Sequence, residues 1–169
     1  MAAAAVALAP LLAGCRGKQA EPEIHLIPAG YQGQVVILHD VPDGEPARYE
    51  DGARVYPIPP DGVLRSSTPV PDGWWGPDEV RYFYVAEDGT RTRIVDDVNS
   101  SIPDTPESRG DPTVGIYFRS FGRISYQGAP CEVALERYSV GTQAFLLDHA
   151  PGSGLELIEY LKANPVRPR

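Results

Sequence analysis

Basic charge is scarce in this chain. Lys and Arg number 15 against 23 Asp and Glu, giving a net charge of −8. No stretch gathers the Lys and Arg that a phosphate backbone requires, so nucleic acid is excluded as a partner. Cysteine is nearly missing: there are two, Cys15 and Cys131, with no C-x-x-C spacing for zinc or redox work. The three histidines, His25, His39 and His149, are not at ligand spacing from one another, so neither a metal nor another cofactor is expected. No G-x-G-x-x-G or Walker loop offers a phosphate cradle, and no G-x-S-x-G offers a nucleophile elbow. No apolar run reaches the ~20 residues that span a bilayer.

What is present describes one domain rich in turns. The 169 residues are 42% hydrophobic and 22% charged, a globular balance, with 18 Pro and 17 Gly limiting long helices. The dipeptide Asp-Gly recurs at Asp43-Gly44, Asp51-Gly52, Asp61-Gly62, Asp72-Gly73 and Asp88-Gly89. Asp tolerates left-handed backbone and Gly adopts it freely, so each pair marks a turn, at the cadence of a sandwich or barrel. None of the five carries the alternating acids of a calcium loop.

Between the turns, Gln34–Asp40, Ala53–Ile58, Val63–Ser67, Glu79–Ala86, Arg91–Val95, Gly115–Phe121 and Cys131–Val140 read as strands. Val80, Tyr82 and Tyr84 alternate with Arg81, Phe83 and Val85, and Arg91–Val95 is the expected hairpin partner across Asp88-Gly89. In the last strand Val133 and Leu135 alternate with Glu132, Ala134 and Glu136, which predicts one wet face. Residues 96–112 are polar, proline-rich and aperiodic, and read as a mobile loop. Leu155, Leu157, Ile158 and Leu161 recur at helical spacing before Asn164-Pro165, which predicts a helix over Gly154–Ala163. The fold expected is mainly β, an antiparallel sandwich of transthyretin-like or related kind with a short C-terminal helix. Gly33-x-Val35-x-Ile37 followed by Gly44-x-Pro46 resembles the opening of transthyretin-like and carboxypeptidase-regulatory sandwiches.

The N-terminus carries an address. Ala2–Leu12 is small and apolar, too short to span and fitting the core of a secretory signal. Leu12-Ala13-Gly14-Cys15 resembles the lipobox of bacterial lipoproteins. That resemblance implies diacylation of the Cys15 thiol and cleavage before it, making 1–14 a signal peptide and 15–23 the lipidated residue and a polar tether. The domain is then expected over 24–163, with 164–169 a tail. No Lys or Arg precedes Cys15, so the true start is expected further upstream. Arg16, in place of an Asp, permits an outer-membrane destination under the same resemblance, and the outer-membrane or periplasmic face is the expected location. Cys131 is left unpaired. It reads as a small buried hydrophobe in a strand, with a reactive thiol as the alternative.

Candidates for chemistry are few. His39-Asp40 closes a strand, reads as a surface pair, and could build a hydrolase site only together with a distant hydroxyl such as Ser66. Asp96-Asp97 points its carboxylates to opposite sides of an extended chain. Arg109-Gly110-Asp111 matches a cell-adhesion tripeptide by coincidence. Trp74 and Trp75, the only tryptophans, sit between Gly73 and Gly76. Two consecutive indoles cannot share one core, so either one packs while the other is displayed, or both cap the sandwich end. A displayed indole near Tyr82 and Tyr84 would suit a sugar ring, a lipid headgroup edge or a protein partner.

Ile27-Pro28-x-Gly30-Tyr31-x-Gly33-x-Val35, Asp51-Gly52 with Tyr56-x-Ile58-Pro59, Gly62-x-Leu64-x-Ser66-Ser67, Gly73-Trp74 and Tyr82-Phe83-Tyr84-Val85 follow one another in order. Over Ile24–Val95 they resemble an uncharacterised domain family of bacterial lipoproteins and envelope proteins. The resemblance implies location and a β-rich fold and transfers no catalytic residue. The expectation is a membrane-attached, non-enzymatic binding or structural domain with an envelope protein or glycan as partner. A carbohydrate-binding module using Trp74 and Trp75 is the first alternative and a small hydrolase the second.

Overall fold

The computed structural model describes residues 18–96, 101–125, 132–149 and 155–166, so Cys15, Cys131 and the pair partner Asp97 lie outside it. Among the described residues nine strands form one curled mixed sheet: β1 (Glu23–Pro28), β2 (Gly33–His39), β3 (Arg48–Glu50), β4 (Ala53–Pro57), β5 (Val63–Arg65), β6 (Val80–Val85), β7 (Arg91–Asp96), β8 (Val114–Ile124) and β9 (Val133–Thr142). Their order is β3-β4-β1-β6-β7-β8-β9-β2-β5. Helices α1 (Pro106–Gly110), α2 (Gln143–Asp148) and α3 (Leu155–Ala163) complete the fold. The β-rich body and C-terminal helix are those expected from the sequence. The sheet, however, mixes antiparallel pairs with parallel ones, because β1 lies between β4 and β6 in the same direction as both.

The Asp-Gly turns act as their chemistry dictates. Asp51 and Gly52 both take positive φ, 49° and 77°, the geometry of the tight turn that suits a twisted hairpin. They join β3 to β4 antiparallel. Asp88-Gly89 closes the β6–β7 hairpin, with Tyr82 opposite Ile94.

The curl encloses an interior supplied by alternate residues of each strand. Ile27, Val35, Ile37, Tyr56, Tyr82, Ile94, Ile116, Tyr138 and Val140 are all buried there. On the outer face of β2 and β9, Val36, Leu38, Val133 and Leu135 pack against Leu157 and Leu161 of α3. So β9 is covered on both sides, and its expected wet face does not exist: Ala134 is 6% and Glu136 0% exposed. The sequence pattern misled because Glu136 is charged and points inward.

Two further expectations change. The fold begins before Ile24: Gln19 bridges Trp74, Ala20 and Glu23 are buried, and so the segment read as a tether is partly structural. Within the expected mobile loop, Thr105 caps α1 by accepting from the Ser108 amide, and Arg109 pairs with Asp104 and Asp148. Arg109 is thus engaged in ion pairs rather than displayed as an adhesion motif.

Candidate functional site

The interior is graded from apolar to polar along its strands. Successive inward residues run Ile27, His25, Glu23 on β1; Val35, Ile37, His39 on β2; and Val140, Tyr138, Glu136 on β9. The polar end therefore gathers Glu23, His25, His39 and Glu136, each no more than 1% exposed.

A bulge delivers the counter-charge. On β8 the register passes from Tyr117 opposite Ser139 to Ser120 opposite Arg137, which inserts one extra residue, and Phe118 takes φ 57°. The extra residue changes which side chains face inward, so Arg119 joins Ile116 on the interior face. Its NH2 group lies 2.6 Å from Glu23 Oε2 and its Nε lies 2.6 Å from Glu136 Oε1. Arg119 is further held over the Trp75 ring at 4.5 Å and the Phe121 ring at 5.1 Å. Trp75 stacks on Phe121 with centroids 5.6 Å apart and planes at 14°. A guanidinium locked between two carboxylates and two aromatic faces is a fixed structural cation.

His25 accompanies this pair. Its Nδ1 is 3.0 Å from the Tyr138 hydroxyl and its Nε2 is 3.5 Å from Glu23 Oε2. Burial lowers its pKa to about 3, against the pull of Glu136, so the ring is neutral. Burial likewise lowers His39 to about 4, with the Glu23 charge opposing. Burial raises both Glu23 and Glu136, which Arg119 counteracts. Ligand atoms of Glu23, His25 and Glu136 lie within 4.8 Å of one another, a set that could hold a metal ion. Arg119 already supplies the cation bridging the two carboxylates, so the residues fit an internal salt bridge better than a metal. Glu23 Oε1, Glu136 Oε2, the Tyr82 hydroxyl and both His39 nitrogens have no side-chain or backbone partner of good geometry.

The exposed counterpart lies where the chain enters the fold. The Trp74 amide donates to the Lys18 carbonyl and the Ala20 amide to the Trp74 carbonyl, both at 3.0 Å. Gly73, at φ 127°, permits this crossing, because a Cβ there would collide with the Lys18 carbonyl oxygen. Trp75 turns inward, and its Nε1 donates to the Glu21 carbonyl at 3.0 Å. Glu21 also pairs with Arg54. Trp74 turns outward and is 80% exposed. One indole packs and the other is displayed.

The remaining candidates do not converge. Tyr82 is 1% exposed and Tyr84 is half-buried with its hydroxyl donating to the Tyr31 carbonyl at 2.5 Å, so neither joins a displayed platform. His39 is buried, not a surface residue, because β2 aims it into the curl. Asp40 is exposed at φ 56°, and Ser66 Oγ bonds Thr68 Oγ1 at 2.7 Å. These three make no hydrogen bonds with one another and form no nucleophile–base pair. The sequence reading missed Glu23, His25, Arg119 and Glu136. The available signal was the alternation Glu23-x-His25-x-Ile27 leading into an apolar strand.

No curated protein matches the chain. Among solved structures, a crystal structure described as a "Putative Lipoprotein from Bacillus anthracis" shares the fold with a TM-score of 0.57 at 20% identity. The likeness covers 87% of this chain and 94% of that one. The family resemblance read over Ile24–Val95 extends further: residues 19–124 match the family of unknown function DUF6843, from the Gln19–Trp74 bridge through the Arg119 bulge, and the chain belongs to that family.

Proposed function

We propose that this chain is a lipid-anchored protein of the bacterial envelope whose β domain acts by binding and not by catalysis. The observation that carries the reading is placement. Leu12-Ala13-Gly14-Cys15 ends three residues before Lys18, where the described fold begins, so a lipid on Cys15 would hold the domain directly against a membrane. The shared fold with a protein described as a "Putative Lipoprotein" supports it. The non-catalytic reading is supported by access: the one cluster of acids and histidines, Glu23, His25, His39 and Glu136, is sealed in the interior, and general acid–base work needs such groups within reach of a substrate. The outer-membrane or periplasmic face is the proposed location.

A carbohydrate-binding module has one observation in its favour, the displayed Trp74. The further stacking walls it would need, Tyr82 and Trp75, are committed to the interior.

The test compares wild type with Cys15→Ser by membrane fractionation and intact mass. Wild type should sediment with membranes, begin at Cys15 and carry a diacylglyceryl mass, while the variant stays uncleaved and without lipid. An unlipidated wild type, or a variant that is processed and membrane-bound as before, overturns the reading.

A further inference from the structure

We infer that Trp74 is a second membrane contact: its indole lies in the headgroup region of the bilayer that holds Cys15, so the domain is docked in a fixed orientation. This rests on the lipid anchor proposed above.

The argument is one of reach. Consecutive Cα atoms are at most about 3.8 Å apart, so Cys15 lies within about 11 Å of Lys18 whatever path residues 16 and 17 take. Lys18 is hydrogen-bonded by its carbonyl to the Trp74 amide at 3.0 Å. A lipid on Cys15 would therefore tether the Lys18–Trp74 pair within a few residues' reach of the acyl chains.

The chemistry at that position fits an interface. Trp74 is 80% exposed while its neighbour Trp75 is packed, so the indole is displayed by construction. Indole combines an apolar body with an N–H donor, and tryptophan concentrates where hydrocarbon meets water. Charge selects the type of surface. Lys18 is paired with Asp72 at 2.8 Å and the chain carries −8 overall. Attraction to anionic lipid is therefore not the driving term, and the contact is the aromatic ring with a neutral headgroup layer. A lipid at one residue attaches a domain at a single point and leaves it free to swivel, whereas a second contact beside it fixes one face.

Only Trp74 and Trp75 contribute indole fluorescence, which makes the test direct. The lipidated full chain is reconstituted into phosphatidylcholine vesicles containing brominated lipid, beside Trp74→Phe and the unlipidated Cys15→Ser protein free in solution. Near-ultraviolet circular dichroism checks that each variant is folded. The expected result is a bromolipid-quenched component in wild type that is missing in Trp74→Phe. Iodide should quench Trp74 in vesicles roughly twofold or more weakly than in the free protein. Lipid-bearing protein whose Trp74 is untouched by bromolipid and open to iodide overturns this inference and leaves the anchor standing. Protection of Trp74 that arises only on adding envelope glycan or protein likewise overturns it. Wild-type protein lacking the lipid mass overturns the anchor reading and this inference with it.

Discussion

Arg119 and Glu136 meet across the β8–β9 ladder with Nε 2.6 Å from Oε1, although their strands are out of step there by one residue. The bulge is what makes the pair. It also lets the same guanidinium reach Glu23 on β1, three strands away in the sheet order. Arg119 therefore ties the two limbs of the curled sheet together through its interior.

Arg119→Met should be strongly destabilising, by about 3–5 kcal/mol, because it leaves two buried carboxylates without a cation. Adding Glu23→Gln and Glu136→Gln to that background should restore most of the loss. Urea unfolding of the single and triple variants measures both.

Acid should weaken the fold through its histidines. His39 is held at about 4 against an ordinary 6.5. Between those values the unfolded chain binds the proton that the native state refuses, so stability falls as pH drops through that window and is regained above it. His39→Leu removes the penalty. Its stability relative to wild type should rise between pH 7 and pH 4 by roughly 3 kcal/mol, read from unfolding midpoints across pH. A constant difference would contradict the burial assigned to His39.

Gly73→Ala should open the entry clasp. The added methyl meets the Lys18 carbonyl at a backbone angle that L-residues avoid, which costs about 1–3 kcal/mol. Hydrogen exchange should show the Ala20 amide losing protection while the β8–β9 ladder retains its own.

The two tryptophans should separate cleanly in stability. Trp74→Ala removes an exposed ring and should shift unfolding by no more than about 0.5 kcal/mol. Trp75→Ala strips a stacked ring from Phe121 and Arg119, at a cost of about 2–3 kcal/mol. Thermal unfolding of the pair distinguishes them.

Elements whose chemistry is local were legible in the sequence. The β6–β7 hairpin followed from alternation and Asp88-Gly89, and α3 from its leucine spacing ending at Asn164-Pro165. For Trp74 and Trp75 the sequence left two arrangements open, one indole packed and one displayed or both capping the sandwich end, and only the crossing at Gly73 decides between them. The polar interior was not legible. Inward Glu23 and His25 invert the usual rule that apolar residues face the core, so β1 does not announce itself as a strand. Arg119 turns inward only because of a one-residue bulge at Phe118, and a period of two read along β8 places it on the other face. Its partners come from strands 96 and 17 residues distant in the chain. Such a site is set by tertiary register, which no local pattern contains.

The position of β1 has a mechanical meaning. It is the first strand after the entry clasp, and it is sheathed on both sides by strands running in its own direction. A pull on the N-terminus acts along β1 and across its ladders, so the hydrogen bonds to β4 and β6 bear the load together in shear and do not peel one at a time. Glu23, the strand's first residue, is also fastened to Arg119. A domain moored by its leading end to a moving surface would resist tearing at the point where the force enters.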